Sequence, residues 1–348
     1  MSYRERTIPP EAINLIGFSL LEPSGGMHLF SPTWLNVWEA SLYQKAGARA
    51  GRERWILKRF GVDDSLLPAQ AIRKTNYRDW LNSMSDASEQ AMAQLGKRGA
   101  FRLRNEKNVL LYIDSWGETS VFETVNSWRD ALSVDILPKN IVRDYGIKDF
   151  TGKIRGERNA LMNALQTAQD CLNSGLADNV IICGMFRNIP VLAFSEIAGL
   201  AKQRGGQQDH HCQFSIERIG CLILKKAPGQ GIALNISEYF PLPATEAAQK
   251  LNARWQDYIG TNTRQVFSVA PPSKALRQLQ TQALETLPSQ IEHLILSEYY
   301  GDSGCLNPAL AWQHLLSHDT QPGHSLLNVL DGEGGAWLLE NWSQGEQK

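Results

Sequence analysis

The apolar positions of this chain follow two periodicities, and the clearest instance of both lies at residues 157–186, ERNALMNALQTAQDCLNSGLADNVIICGMF. Leu161, Leu165, Ala168 and Leu172 recur at i, i+4, i+7 and i+11, so they share one helix face. Gly175 supplies the stop. Val180-Ile181-Ile182-Cys183-Gly184 follows, a short β-branched run suited to a strand covered on both faces. A helix feeding a buried strand predicts a layered α/β protein.

The same alternation runs along the rest of the chain. Strands are expected at residues 13–21, 108–115, 221–226, 232–240, 293–300, 325–330 and 335–340. Residues 32–60, with Trp34, Trp38 and Trp55 among charges, suit amphipathic helices. Residues 61–107 read as mainly helical, Ser85-Asp86 capping a helix that runs to Leu95. Further helices are expected to start at Leu137-Pro138 and to span residues 190–203, 244–258, 273–287 and 308–317. Residues 204–213, RGGQQDHHCQ, read as an exposed loop. Pro228-Gly229-Gln230-Gly231 is a turn that divides the chain into residues 1–228 and 229–348, each alternating strands and helices within one compact unit.

Composition narrows the class. At 348 residues and 43% hydrophobic content, the chain can bury a large core. Lys+Arg 35 against Asp+Glu 36 gives no electrostatic case for nucleic acid as the main partner. No apolar run reaches bilayer-spanning length, and the N-terminus lacks the apolar core and cleavage site of a signal peptide. Five scattered cysteines, Cys171, Cys183, Cys212, Cys221 and Cys305, point to free thiols in a reducing, cytoplasmic setting.

The order of several stretches resembles the β-ketoacyl synthases of the thiolase-like superfamily. AINLIGFSLLEPSGG is similar to their first strand and its turn. Residues 137–186 resemble the segment holding their nucleophile helix and the strand behind it. QFSIERIGCLILKK, with Phe214, Arg218 and Gly220, resembles their "Phe-x-x-x-Arg-x-Gly" hairpin. SLLNVLDGEGGAWLLE, with Gly332, Gly334 and Gly335, resembles their closing Gly-rich turn. The resemblance implies a layered α-β-α-β-α fold with two pseudo-repeated halves. It also implies a dimer, with residues 180–184 and their flanks at the interface, and acyl chains delivered by acyl carrier protein or coenzyme A. No cofactor or metal is implied.

The departures decide the functional expectation. The family's nucleophilic Cys sits at the amino end of the central helix, where the helix terminus lowers its pKa. That position falls on Gly156, Glu157, Arg158 and Asn159, none of which forms a thioester. The family's catalytic His falls on Tyr300 if Glu298-Tyr299-Tyr300-Gly301 aligns with "Glu-Ala-His-Gly". It falls on Asp302 if GDSGCLNPALAWQ is instead the Gly-His segment. His is missing either way. The resemblance therefore implies a chain-length-factor-like subunit, pairing with an active ketosynthase in fatty-acid, polyketide or polyene assembly, with Glu157 and Arg158 forming an ion pair at the vestigial site. The alternative is an enzyme with rebuilt acyl-thioester chemistry on Ser303, Cys305 or Tyr300. Two motifs are decoys. Gly301-Asp302-Ser303-Gly304 matches a serine-protease tetrapeptide in a chain that lacks the all-β context. Asp209-His210-His211-Cys212 has no second ligand cluster at zinc-like spacing.

Overall fold

A computed structural model describes residues 4–29, 55–62, 77–115, 139–148, 150–189, 192, 196, 213–243, 245–285, 287–318 and 322–343. The expectations for Trp34, Trp38 and the 204–212 loop, including Asp209 to Cys212, lie outside these residues, as does almost all of the expected 190–203 helix.

The first half contributes β1 (Ile13–Leu21), β2 (His28–Leu29), β3 (Trp55–Lys58), helices α1 (Tyr77–Ala93) and α2 (Gly96–Asn105), β4 (Asn108–Asp114), α3 (Lys139–Asp144) and β5 (Phe150–Arg155). A short 3-10 turn, Glu157–Asn159, then leads into α4 (Ala160–Asn173), followed by β6 (Asn179–Phe186), β7 (Gln213–Ile216) and β8 (Arg218–Lys226). The second half contributes β9 (Ile232–Ile236), β10 (Phe240–Pro241), α5 (Ala247–Tyr258), β11 (Thr263–Val269), α6 (Lys274–Leu284), β12 (Glu292–Ile295) and α7 (Leu296–Tyr300). A 3-10 turn, Gly304–Leu306, precedes α8 (Ala309–His318), β13 (Gly323–Leu330) and β14 (Gly335–Ser343).

The strand order β5-β4-β6-β8-β1 in the first half is repeated as β12-β11-β13-β14-β9 in the second. The senses agree too. β4 runs parallel to β5 and β6, β11 runs parallel to β12 and β13, and each half closes with two antiparallel pairings. β1 and β9 then pair antiparallel through Ile13–Leu15 against Ile232–Leu234, which joins the halves edge to edge.

Strand alternation distributes the core into three layers of side chains. Val109, Leu111 and Ile113 of β4 face the same cluster as α4 and α8, while Leu110 and Tyr112 face α1 and α3. In β13, Leu327 and Val329 join the central cluster and Leu326 and Leu330 face α5 and α6. Strands apolar on both faces are what a sheet covered on both sides requires. The result is the α-β-α-β-α layering of a thiolase-like fold with two repeated halves.

Several local expectations need correction. Trp55–Lys58 is a strand, not part of an amphipathic helix, because it pairs with β2 and β7 in a small separate sheet. Residues 296–300 form a helical turn rather than the end of a strand. β5 and β11 carry no strong apolar alternation and were not expected. β5 is an edge strand with four of its six residues exposed, so its FTGKIR composition meets water. The expected dimer face at residues 180–184 is also wrong. β6 is fully buried and hydrogen-bonded to β4 on one side and β8 on the other.

The described cysteines Cys171, Cys183, Cys221 and Cys305 are free. No helix among the described residues is long and apolar enough to cross a membrane.

Candidate functional site

α4 and α8 occupy equivalent places in the two halves, and the turns that open them face each other across the central layer. Arg158 in the first turn reaches the second half. Its Nη1 donates to Asp302 Oδ1 at 2.7 Å and its Nη2 to Asp302 Oδ2 at 2.9 Å. The same guanidinium holds Glu196 through Nε at 2.6 Å and Nη2 at 2.8 Å. Such a planar fork satisfies two carboxylates at once, which a lysine cannot do. The expected Glu157–Arg158 pair is not formed. Glu157 is exposed, and Arg158 is claimed by carboxylates from elsewhere.

Asp302 is held from several directions. Asn307 Nδ2 donates to Oδ1 at 2.6 Å, and the Gly304 N–H donates at 3.3 Å. Its backbone pairs with β7, through Asp302 N to Phe214 O at 2.9 Å and Ile216 N to Asp302 O at 2.8 Å. Burial raises the Asp302 carboxyl, but Arg158 and these donors outweigh it and hold the group below its ordinary value. Glu196 goes the other way. Burial dominates and lifts it, with Arg158 only partly compensating. The two carboxyls held by one arginine are thus shifted in opposite directions.

The other sequence candidates sit around this cluster. Ser303 is fully buried, donates its Oγ–H to Ile216 O at 2.7 Å and accepts from Arg218, so both hydroxyl functions are occupied. Cys305 is fully buried, its thiol is pushed up to about 12 by burial, and its Sγ faces Met185 O at 3.4 Å. A thiol so placed carries almost no thiolate at neutral pH. The Tyr300 hydroxyl meets His314 Nδ1 at 2.8 Å, and burial raises its pKa. Asn159 points its amide at Asp331 Oδ2 at 3.5 Å, which also accepts from Tyr239 OH at 2.6 Å. Asp331 Oδ1 accepts the N–H groups of Glu333, Gly334 and Gly335 at 2.8–2.9 Å, so the Gly-rich turn wraps its own carboxylate. Gly156 lies at the mouth of the α4 turn, where an added Cβ would meet Asn163 Nδ2 at 3.0 Å.

A cavity of about 340 Å³ opens beside Asp302, lined by Phe214, Pro271, Pro272, Ser273, Glu298 and others at the carboxyl ends of β11 and β12. Sequence reasoning missed Glu196, Asn307, Asp331 and this Pro-Pro-Ser wall. The signal that would have found Asn307 was the internal repeat, since residues just before α8 stand where residues before α4 stand.

Glu157 has φ +46°, the only positive φ at a non-glycine residue among those described. Left-handed backbone at a residue with a Cβ costs roughly 1–2 kcal/mol. Glu157→Gly is therefore expected to raise stability by up to about 1 kcal/mol after the entropy cost of glycine, read as the urea midpoint.

No protein-family model matches the chain, and a search of curated proteins finds no match. Solved structures do match. The ketosynthase of module 6 of the bacillaene synthase from Bacillus subtilis is 12% identical, with TM-score 0.61 over 97% of this chain and 73% of that one. A type II polyketide synthase acyl carrier protein in complex with its ketosynthase bound to the hexaketide, AntDE:AntF, gives 11% identity and TM-score 0.62, over 96% of this chain and 99% of that one. Xanthomonas campestris OleA is similar at 9% identity and TM-score 0.55, over 95% and 98%. The chain has the thiolase-like fold of the ketosynthases.

Proposed function

We propose that this chain is a ketosynthase-like subunit without condensing chemistry of its own, pairing with an active β-ketoacyl synthase to shape the growth of a carrier-bound acyl chain. The observation that carries this reading is the Arg158 cluster. By the resemblance, Arg158 lies within the stretch 156–159 on which the family's nucleophile falls, and Asp302, one of the two places for its catalytic His, is paired with it. Tyr300, the other candidate for that place, is bonded to His314 instead. An arginine locked between two carboxylates neither attacks a thioester nor takes up a proton. Ser303 and Cys305 are fully buried without an adjacent base in their hydrogen bonds. Nucleophilic catalysis requires an accessible nucleophile within reach of a base.

The partners follow from two surfaces. β5 is the outer strand of the first half, with one edge unpaired among the described residues and Phe150 45% exposed. An open edge of this kind is a template for another chain, so the active ketosynthase is expected along β5, forming a heterodimer. The cavity beside Asp302 would receive the acyl carrier protein's arm, and the AntDE:AntF likeness supports that partner. The reading needs no cofactor and places the work in the reducing cytoplasm.

The test is intact-protein mass after incubation with malonyl- or acyl-loaded carrier protein, alone and with a candidate ketosynthase, beside size-exclusion co-elution. The expected result is no mass gain on this chain, with acylation of the co-eluting partner alone. A gain on this chain by itself would sink the reading and favour rebuilt acyl-thioester chemistry.

A further inference from the structure

One end of the first half carries a surface that the site does not use. α2 has the sequence GKRGAFRLRN, and only Leu103 of it is buried. Phe101 is 70% exposed. Lys97 and Arg98 lie one turn before it and Arg102 beside it, so they surround the ring on the same outward face. These three residues are exposed and have no acidic partner among the described residues. Arg104 adds charge at the flank, its Nε donating to the Asp144 backbone carbonyl rather than to a carboxylate. Lys107 is exposed just past the helix. The acidic groups nearby are engaged. Glu106 pairs with Lys225, and Asp178 accepts the Lys107 N–H.

A second apolar side chain stands at the same end. Leu176, in the turn after α4, is 61% exposed and lies two residues before Asp178. The turn glycines beside both apolar tips, Gly96 and Gly175, face open space, since a Cβ built on either would meet nothing within 4 Å. β4 starts at Asn108 next to this surface and ends near Ser115, which holds the Cys305 N–H. The length of β4, at about 3.3 Å per residue, therefore separates the surface from the Arg158 cluster.

We propose that this end of the molecule docks on an anionic lipid bilayer, with Phe101 and Leu176 entering the interface and Lys97, Arg98 and Arg102 meeting the phosphates. Exposed aromatic and aliphatic tips among unpaired Lys and Arg are the composition of an interfacial anchor. The two apolar tips come from separate elements, α2 and the turn after α4, so an extended surface is needed to meet both. The whole chain carries a net charge of −1, so the basic excess is local and would orient the molecule on an anionic surface.

The test is co-sedimentation of the full chain with vesicles of phosphatidylcholine alone and with about one-third phosphatidylglycerol, at low and high salt. Wild type is expected to bind the anionic vesicles, to lose them as salt rises and to ignore the neutral ones. The Arg98→Gln/Arg102→Gln variant is expected to bind roughly tenfold or more weakly, and Phe101→Ser to weaken binding at every salt concentration. All three substitutions are at exposed positions, and a circular-dichroism melt equal to wild type establishes that the variants fold. Equal binding to both vesicle types, or variants that bind as wild type does, would overturn the proposal. So would a chain that ignores vesicles but binds acidic carrier protein through Arg98 and Arg102, which would assign the surface to a protein.

Discussion

Replacing Arg158 with alanine is expected to destabilise the protein by about 3–5 kcal/mol, the usual cost of stranding buried charges by removing their partner. Arg158 is the common counter-ion of Asp302 and Glu196, whose side chains are 8% and 15% exposed. Without it, two carboxylates remain buried at the opening of both central helices. The loss is expected to depend on pH, in opposite senses for the two groups. Asp302 sits below its ordinary value of 3.8, so its stabilisation is present above that value and disappears as pH falls through the lower folded value. Glu196 sits above its ordinary value of 4.5, so the stability from its bound proton is present below that value and is lost as pH rises through the folded value. In Arg158→Ala both carboxyls are pushed upward, and the variant's deficit should be smallest in mild acid and largest at neutral pH. Urea titrations of wild type and variant at several pH values would measure this. A triple change, Arg158→Met with Glu196→Gln and Asp302→Asn, should recover most of the loss, because a neutral cluster no longer strands charge. A deficit independent of pH would mean that the guanidinium acts only by filling space.

Trp312→Ala is expected to cost about 3–5 kcal/mol, and more if the cavity fails to collapse. The indole is fully buried in α8 at the centre of the middle layer. It meets the Phe18 ring of β1 edge-on at 6.1 Å, while its Nε1 donates to Asn341 Oδ1 of β14 at 3.0 Å. One side chain therefore touches both halves. Truncation opens a void between them and strips Asn341 of its partner, when Asn341 Nδ2 already lacks one. Trp312→Phe keeps most of the packing and loses the hydrogen bond, so a cost of about 1–2 kcal/mol is expected. Denaturant midpoints of the two variants separate the terms. If phenylalanine costs as much as alanine, the Asn341 contact outweighs the packing.

The middle of the fold was legible because burial wrote itself into residue choice. Leu161, Leu165, Ala168 and Leu172 sit on one face and are all buried, and residues 180–184 form a strand covered on both sides. β5 was not legible because an edge strand with exposed positions can carry Thr, Gly, Lys and Arg without penalty. β11 was missed for a related reason. TRQVFSV places polar residues at its first three positions, and two of these, Arg264 and Gln265, are only partly buried. At the site, the sequence announced what was missing, a Cys and a His, since an absence at an aligned position needs no contact map. It did not announce that Arg158 pairs with Asp302 and Glu196, which lie 144 and 38 residues away. The pairing is a product of two helices being brought nose to nose by the repeated topology.

The pairing of β1 has a consequence for how the chain is made. Ile13 lies opposite Lys226, so the strand INLIGFSLL finds its main partner only after on the order of 200 further residues have been synthesised. At roughly 5–20 residues per second that is a wait of about 10–40 s. Its second neighbour, β9, emerges later still. Throughout synthesis of the first half, this apolar nine-residue segment has both edges open. That makes it the stretch a ribosome-bound chaperone would be expected to cover first.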